Sequence, residues 1–154
     1  MALLKIGDQA PVFKAKDQQG NEISLEQFKG NIVILYFYPK DNTPGCTAEA
    51  CNLRDNYADL RARGFVVIGV SPDSEKKHQN FIAKHELPFL LIPDTELEIL
   101  NAYEAWGEKK LYGKTYMGVL RKTFIIDEEG AILKIIEKVK TKDHSAQILN
   151  ELEK

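Results

Sequence analysis

Ile32-Val33-Ile34-Leu35-Tyr36-Phe37-Tyr38-Pro39-Lys40-Asp41-Asn42-Thr43-Pro44-Gly45-Cys46-Thr47 is the stretch on which the reading of this chain turns. Its first seven residues are β-branched, aliphatic or aromatic without a polar break, the pattern of a strand covered on both faces. Pro39 stops that strand, and Lys40 to Gly45 reads as a loop with Pro44-Gly45 marking a turn. A helix is expected to begin at about Thr43 or Cys46 and to run to Arg63, ended by Gly64 in the C′ position. Leu53, Tyr57 and Leu60 would form its buried stripe.

The same alternation continues outward. Phe65 to Ser71 reads as a second buried strand, and Ser74 as the cap of a helix over Glu75 to His85. Leu90 to Ile92 is a third, short strand, and Glu96 to Tyr103 a short helix. Lys122 to Ile126 and Ile132 to Ile136 flank the turn residues Asp127 to Gly130, which is a hairpin signal. His144 to Leu152 has the apolar spacing of an amphipathic closing helix. No internal repeat or linker interrupts the pattern, so residues 1–154 are expected to form one α/β domain, a mixed sheet flanked by helices on both faces.

Composition narrows the function classes. The chain has 154 residues, 44% hydrophobic and 29% charged, with a formal net charge of −2. Its basic residues are spread along the chain rather than gathered in a stripe, which argues against a nucleic-acid partner. The longest apolar run, Ile32 to Tyr38, is far too short to cross a bilayer, so no membrane association is expected. The opening residues 1–8 lack the apolar core and cleavage site of a secretory signal, and the expected location is cytoplasmic.

In a reducing compartment the two cysteines, Cys46 and Cys51, are not read as a permanent disulfide. Two thiols without a histidine cluster also fall short of a zinc site, so no metal and no other cofactor is expected. Inert packing or redox chemistry remains. Cys46 falls in the first turn of the helix after the strand, where free amides and the helix dipole favour a thiolate. A helix terminus contributes typically about 0.3–1 kcal/mol, so a further positive group is called for. Arg121, just before the apolar strand Thr123 to Ile126, is a candidate, because a guanidinium there could stabilise charge on sulfur and on a reacting oxygen. Taken alone, an arginine at a strand edge reads as a solvated surface charge.

Pro39, Thr43 and Cys46 match the peroxiredoxin signature of proline, three residues, threonine, two residues, cysteine. The longer string Tyr36 to Thr47 resembles the peroxiredoxin Q branch, also called bacterioferritin comigratory protein. Gly7-Asp8-Gln9-Ala10-Pro11-Val12-Phe13, Tyr112 to Tyr116, Arg121 and Phe124-Ile125-Ile126-Asp127 extend the likeness over nearly the whole chain. The resemblance implies a thioredoxin-like fold with an N-terminal β extension. It also implies reduction of hydrogen peroxide and organic hydroperoxides, and recycling by thioredoxin or a similar dithiol. Carried over, Cys46 is the peroxidatic cysteine and Cys51 the resolving one. Thr43 offers its hydroxyl to the peroxide, Pro39 shields the site from water, and Arg121 is the site arginine. Glu49 stands where the family often has an acid that orients this arginine.

The spacing adds a mechanical expectation. Residues five apart on an intact α-helix have Cα atoms about 8.6 Å apart, whereas a disulfide needs roughly 4.4–6.8 Å. Cys46 and Cys51 therefore cannot bond while that turn stays helical. Two rival readings use the same cysteines. A disulfide oxidoreductase usually has two intervening residues rather than four, and a redox-sensing or holdase-like module would react once instead of turning over. Both cysteines lie in one chain, so catalysis needs no dimer and a monomer is expected. His78, His85 and His144 read as surface histidines in charged helical stretches. Tyr103, Trp106, Tyr112 and Tyr116 read as packing a long loop onto the core. Lys109-Lys110 and the Lys138 to Lys142 stretch read as solvated faces.

Overall fold

The structure, a computed structural model, describes residues 3–153. Residues 1, 2 and 154 lie outside the described residues, and with them the start of the segment read as lacking a secretory signal.

An N-terminal antiparallel hairpin pairs β1 (Lys14–Lys16) with β2 (Glu22–Ser24), followed by a 3-10 turn over Leu25–Phe28. The main sheet contains β3 (Ile32–Phe37), β4 (Phe65–Ser71), β5 (Leu90–Pro93), β8 (Lys122–Ile126) and β9 (Ile132–Ile136), in the order β5-β4-β3-β8-β9. β3, β4 and β5 are mutually parallel, whereas β8 is antiparallel to β3 and β9 to β8. The sheet is therefore mixed, and β3 is central. Its residues Val33 to Phe37 are almost completely buried, as an unbroken apolar run demands.

Alternation along β3 divides the core into two layers. Ile34 and Tyr36 face a cluster with Ala50, Leu53, Leu60, Phe81 and Ile148, contributed by α1 (Pro44–Asp55), α2 (Tyr57–Ala62), α3 (Glu75–His85) and α5 (His144–Leu152). Val33, Leu35 and Phe37 face the other layer, with Phe13, Ile23, Leu25 and α4 (Glu98–Ala102). This is the thioredoxin-like α/β arrangement expected, with the N-terminal hairpin in place.

Three local expectations are corrected. The helix expected to run unbroken to Arg63 divides at Asn56, which has φ −107° and ψ 7°. The Asn56 side-chain amide donates to the Asn52 carbonyl at 2.8 Å, a local bond that competes with the helical ladder. Leu53 and Leu60 still reach the core, and Gly64 follows the second segment at φ +86°. The aromatic stretch read as a long loop is instead a hairpin, β6 (Trp106–Leu111) with β7 (Lys114–Val119). Its two-residue turn, Tyr112-Gly113, has φ +52° and +76°, the paired positive values that let a tight turn match the strand twist. Tyr103 is fully buried, but Tyr112 is 95% exposed at the hairpin tip. The histidines are the third correction. His78 and His144 are completely buried and His85 is half-buried, because each finds a polar partner from a distant element.

Candidate active site

α1 begins at the carboxyl end of β3, where ligand sites in open α/β sheets concentrate. Thr43 is its N-cap in extended conformation, Pro44 opens the first turn and Cys46 is its third residue. The first helical bond runs from Thr47 N to Thr43 O at 2.8 Å. The amides of Gly45 and Cys46 therefore precede the ladder, and they supply partial positive charge beside the sulfur.

Arg121 joins this turn from across the sheet. β8 pairs with β3 so that Lys122 lies opposite Phe37, and the residue before Lys122 stands level with the loop leaving β3. Arg121 Nη2 donates to Cys46 Sγ at 3.3 Å, and Nη1 donates to Glu49 Oε1 at 2.7 Å. Glu49 lies three residues after Cys46, on the same side of the helix. One planar guanidinium thus bridges a sulfur and a carboxylate on one helix face, each held by a different nitrogen of its rigid fork. The sequence alone did not bring Arg121 to Cys46; the register of the two strands does.

Glu49 is completely buried. Burial pushes its carboxyl up to about 7, against the pull of Arg121. Its Oε2 has no hydrogen-bond partner among the described residues, and neither does the hydroxyl of buried Tyr36. Burial, followed by the Glu49 charge, holds the Tyr36 phenol well above its usual range. His144 Nε2 lies 3.5 Å from Glu49 Oε2. That imidazole also meets Thr123 Oγ1 at 2.8 Å and Gln147 Oε1 at 2.9 Å. A carbonyl oxygen only accepts, so the Gln147 contact assigns the ring proton to Nδ1, and Nε2 accepts from Thr123. Burial pulls His144 down to about 4.

Thr43 Oγ1 donates to the Lys40 carbonyl at 2.8 Å, which leaves its oxygen free to accept. Pro39 is half-buried at the start of the same loop. A buried network fastens this loop to the sheet. Tyr38 Oη donates to Asp41 Oδ1 at 2.6 Å, and Asp41 Oδ2 meets His78 Nδ1 at 2.6 Å. The opposite ring nitrogen of His78 donates to the Ile92 carbonyl at 3.1 Å, and Asp41 N donates to Asp73 Oδ2 at 2.6 Å. Sequence reading missed Asp41, His78, Thr123 and His144. Their partners are remote in the chain, and a histidine in a charged helix carries no local sign of burial.

Cys51 lies in the body of the same helix, half-buried, and both cysteines are free thiols. Its Sγ is 3.8 Å from His85 Nδ1, whereas Cys46 Sγ faces Arg121. The structure thus gathers Cys46, Glu49, Arg121 and Thr43 around one helix start, with Pro39 on the adjoining loop, and leaves Cys51 turned towards α3. No helix among the described residues is long and apolar enough to cross a membrane.

Comparison with known proteins shows likeness along most of the chain. Residues 6–135 match the AhpC/TSA family. Peroxiredoxin Bcp of Bacillus subtilis is 48% identical over 149 residues, covering 97% of this chain and 95% of its own. The solved peroxiredoxin Q of Xanthomonas campestris superposes with a TM-score of 0.85 at 34% identity, over 92% of this chain and 89% of its own. A bacterioferritin comigratory protein of the same organism, described for alkyl peroxide reduction, gives 0.85 at 33% identity over 92% of this chain and 90% of its own.

The Glu49–His144 contact yields a prediction about acid stability. The native Glu49 pKa lies above its ordinary 4.5, so its contribution is present below that value and lost as pH rises towards 7. The native His144 pKa lies below its ordinary 6.5, so its contribution is present above that value and lost as pH falls towards 4. His144→Gln removes only the second slope. Urea unfolding should show the gap between wild type and this variant narrowing, by on the order of 3 kcal/mol, between pH 6.5 and 4. A gap that stays constant over that range would contradict the assignment of His144 as buried and neutral.

Proposed function

The chain belongs to the AhpC/TSA family of peroxiredoxins, on its Bcp/peroxiredoxin Q branch, and on that footing we propose how its two cysteines divide the work of a thiol peroxidase. Cys46 is the peroxidatic residue. Its thiolate attacks the distal oxygen of a hydroperoxide, the O–O bond breaks, and the departing oxygen takes a proton to leave as water or an alcohol. Sulfur is oxidised to a sulfenic acid. The 3.3 Å contact of Arg121 Nη2 with Cys46 Sγ supports this reading most strongly, because the same donor can follow charge from sulfur to the departing oxygen. Glu49 orients Arg121 through its 2.7 Å bond. The Thr43 oxygen accepts from the peroxide O–H, and Pro39 limits water at the sulfur. Hydrogen peroxide and organic hydroperoxides are the substrates; the Xanthomonas likeness favours including the alkyl class.

Cys51 resolves the sulfenic acid, and the product is an intramolecular disulfide and water. On the intact helix the two Cα atoms stand about 8.6 Å apart, beyond disulfide reach, so the first turns of α1 unwind between the two chemical steps. Thioredoxin or a similar dithiol then reduces the disulfide by exchange. Both cysteines lie in one chain, so a monomer suffices, and the activity serves antioxidant defence in a cytosol that supplies such donors.

Peroxide consumption coupled to thioredoxin, thioredoxin reductase and NADPH tests the division of roles. Wild type should turn over repeatedly, Cys46→Ser should be inactive, and Cys51→Ser should stop after one equivalent unless given a small thiol. Full activity in Cys46→Ser would overturn the proposal, and a single equivalent consumed by wild type would indicate a sensor. Amide hydrogen exchange tests the unwinding: oxidised protein should lose protection within Thr47 to Arg54, and equal protection in the two states would rule unwinding out.

A further inference from the structure

The two cysteines have different electrostatic surroundings. Cys46 lies beside unladdered amides and Arg121, whereas Cys51 sits further along α1, where the helix dipole has faded. Attack on a sulfenic sulfur needs thiolate character, so the thiol proton has to leave as the S–S bond forms. A group that takes the Cys51 proton is therefore required, and α3 presents one. Cys51 Sγ lies 3.8 Å from Nδ1 of His85, the last residue of α3. The imidazole is held in direction. Its ring packs edge-on against Phe81 with centroids 5.2 Å apart, and Arg54 Nη1 donates to the His85 carbonyl at 2.8 Å.

We propose that His85 is a catalytic residue of the resolving step, the base that accepts the Cys51 proton as the disulfide forms. This rests on the reading of Cys51 as the resolving cysteine. His85 Nδ1 takes the proton from Cys51 Sγ while that sulfur bonds to Cys46 Sγ. Hydroxide leaves the sulfenic sulfur and receives a proton from the imidazolium, so the products are one disulfide and one water. The sulfenic sulfur is reduced and the thiol oxidised, with no further reagent.

The surroundings suit an imidazole that starts neutral. Burial first, then the charges of Lys84 and Arg54, hold His85 below the usual histidine range. The charged groups around it are Lys84 and Glu86 beside it in the chain, and Arg54 with its partner Asp55 on α1. The second half of α1 is also tied down. Asn52 Oδ1 accepts from Ser145 N at 2.7 Å, and Asn52 Nδ2 donates to the Lys142 carbonyl at 3.3 Å. Together with the Arg54 bond, these contacts keep Cys51 beside His85 while the first turn unwinds and Cys46 travels. The base is then present when attack occurs.

Single-turnover kinetics separate this step from the first. After one equivalent of peroxide, Cys46 sulfenic acid is trapped with a cyclic dione, and the Cys46–Cys51 disulfide is quantified by mass spectrometry across acidic to alkaline pH. His85→Asn should oxidise Cys46 at the wild-type rate but form the disulfide about 10²-fold more slowly near neutrality, recovering as pH rises. Added imidazole should restore part of the rate in His85→Ala. A wild-type rate and pH profile in both variants would overturn the proposal. So would an equal slowing at every pH without imidazole rescue, which is the signature of a packing role. If wild type itself formed sulfenic acid but never the Cys46–Cys51 disulfide, the resolving role of Cys51 would fail, and this inference with it.

Discussion

The Arg121 guanidinium, donating at once to Cys46 Sγ and Glu49 Oε1, is the contact on which the rest of the site depends. It ties the first turn of α1 to the edge of β8, and it holds a fixed positive charge at a sulfur only 1% exposed. In such a setting charge–charge interactions are far less screened than in water. The same charge offsets the cost of burying Glu49, whose carboxyl would otherwise be still more averse to ionisation. Because one group serves both partners, a change of charge on Cys46 is felt by Glu49 and, 3.5 Å further on, by His144. In the proposed cycle, oxidation of Cys46 would change one of the two groups that this guanidinium holds at the helix start.

The fold supplies this contact through strand register rather than through the loop. β3 runs parallel to β4 and antiparallel to β8, so its carboxyl end, which launches α1, meets the amino end of β8, which carries Arg121. On the other side of β3, the Tyr38–Asp41–His78 network pins the loop that bears Pro39 and Thr43. The turn that carries Cys46 thus lies between this pinned loop and the Arg121 contact. The second half of α1 is held through Asn52 and Arg54, and the turn that bears Cys46 through Arg121.

Much of this was legible in the sequence where the cause is local. The run Ile32 to Tyr38, the Ser74 cap and the Asp127 to Gly130 turn each carry their own signal, and the corresponding elements form where that signal lies. Pro39, Thr43 and Cys46 are legible for the same reason, since they share one loop and helix start. Arg121 stands 75 residues from Cys46 in the chain, so its position before a strand made it a candidate but nothing local placed it beside the sulfur. His78 and His144 were misread as surface residues because their partners, Asp41 and Thr123, are 37 and 21 residues away. The break at Asn56 escaped because hydrophobic spacing continues through it, while one side-chain bond to Asn52 interrupts the ladder. The β6–β7 hairpin lacked clean alternation, and its one sharp sign, Gly113, follows a tyrosine rather than an asparagine or aspartate.

The rate at which peroxide oxidises Cys46 in a single turnover, compared between wild type and Arg121→Met, tests the keystone role of this contact most directly. With the thermal unfolding midpoint measured alongside to verify folding, the variant should react about 10²- to 10³-fold more slowly, the usual cost of removing one donor from developing charge. A folded Arg121→Met protein that oxidises Cys46 at the wild-type rate would contradict the account, because the guanidinium would then be a structural tie with no part in the chemistry.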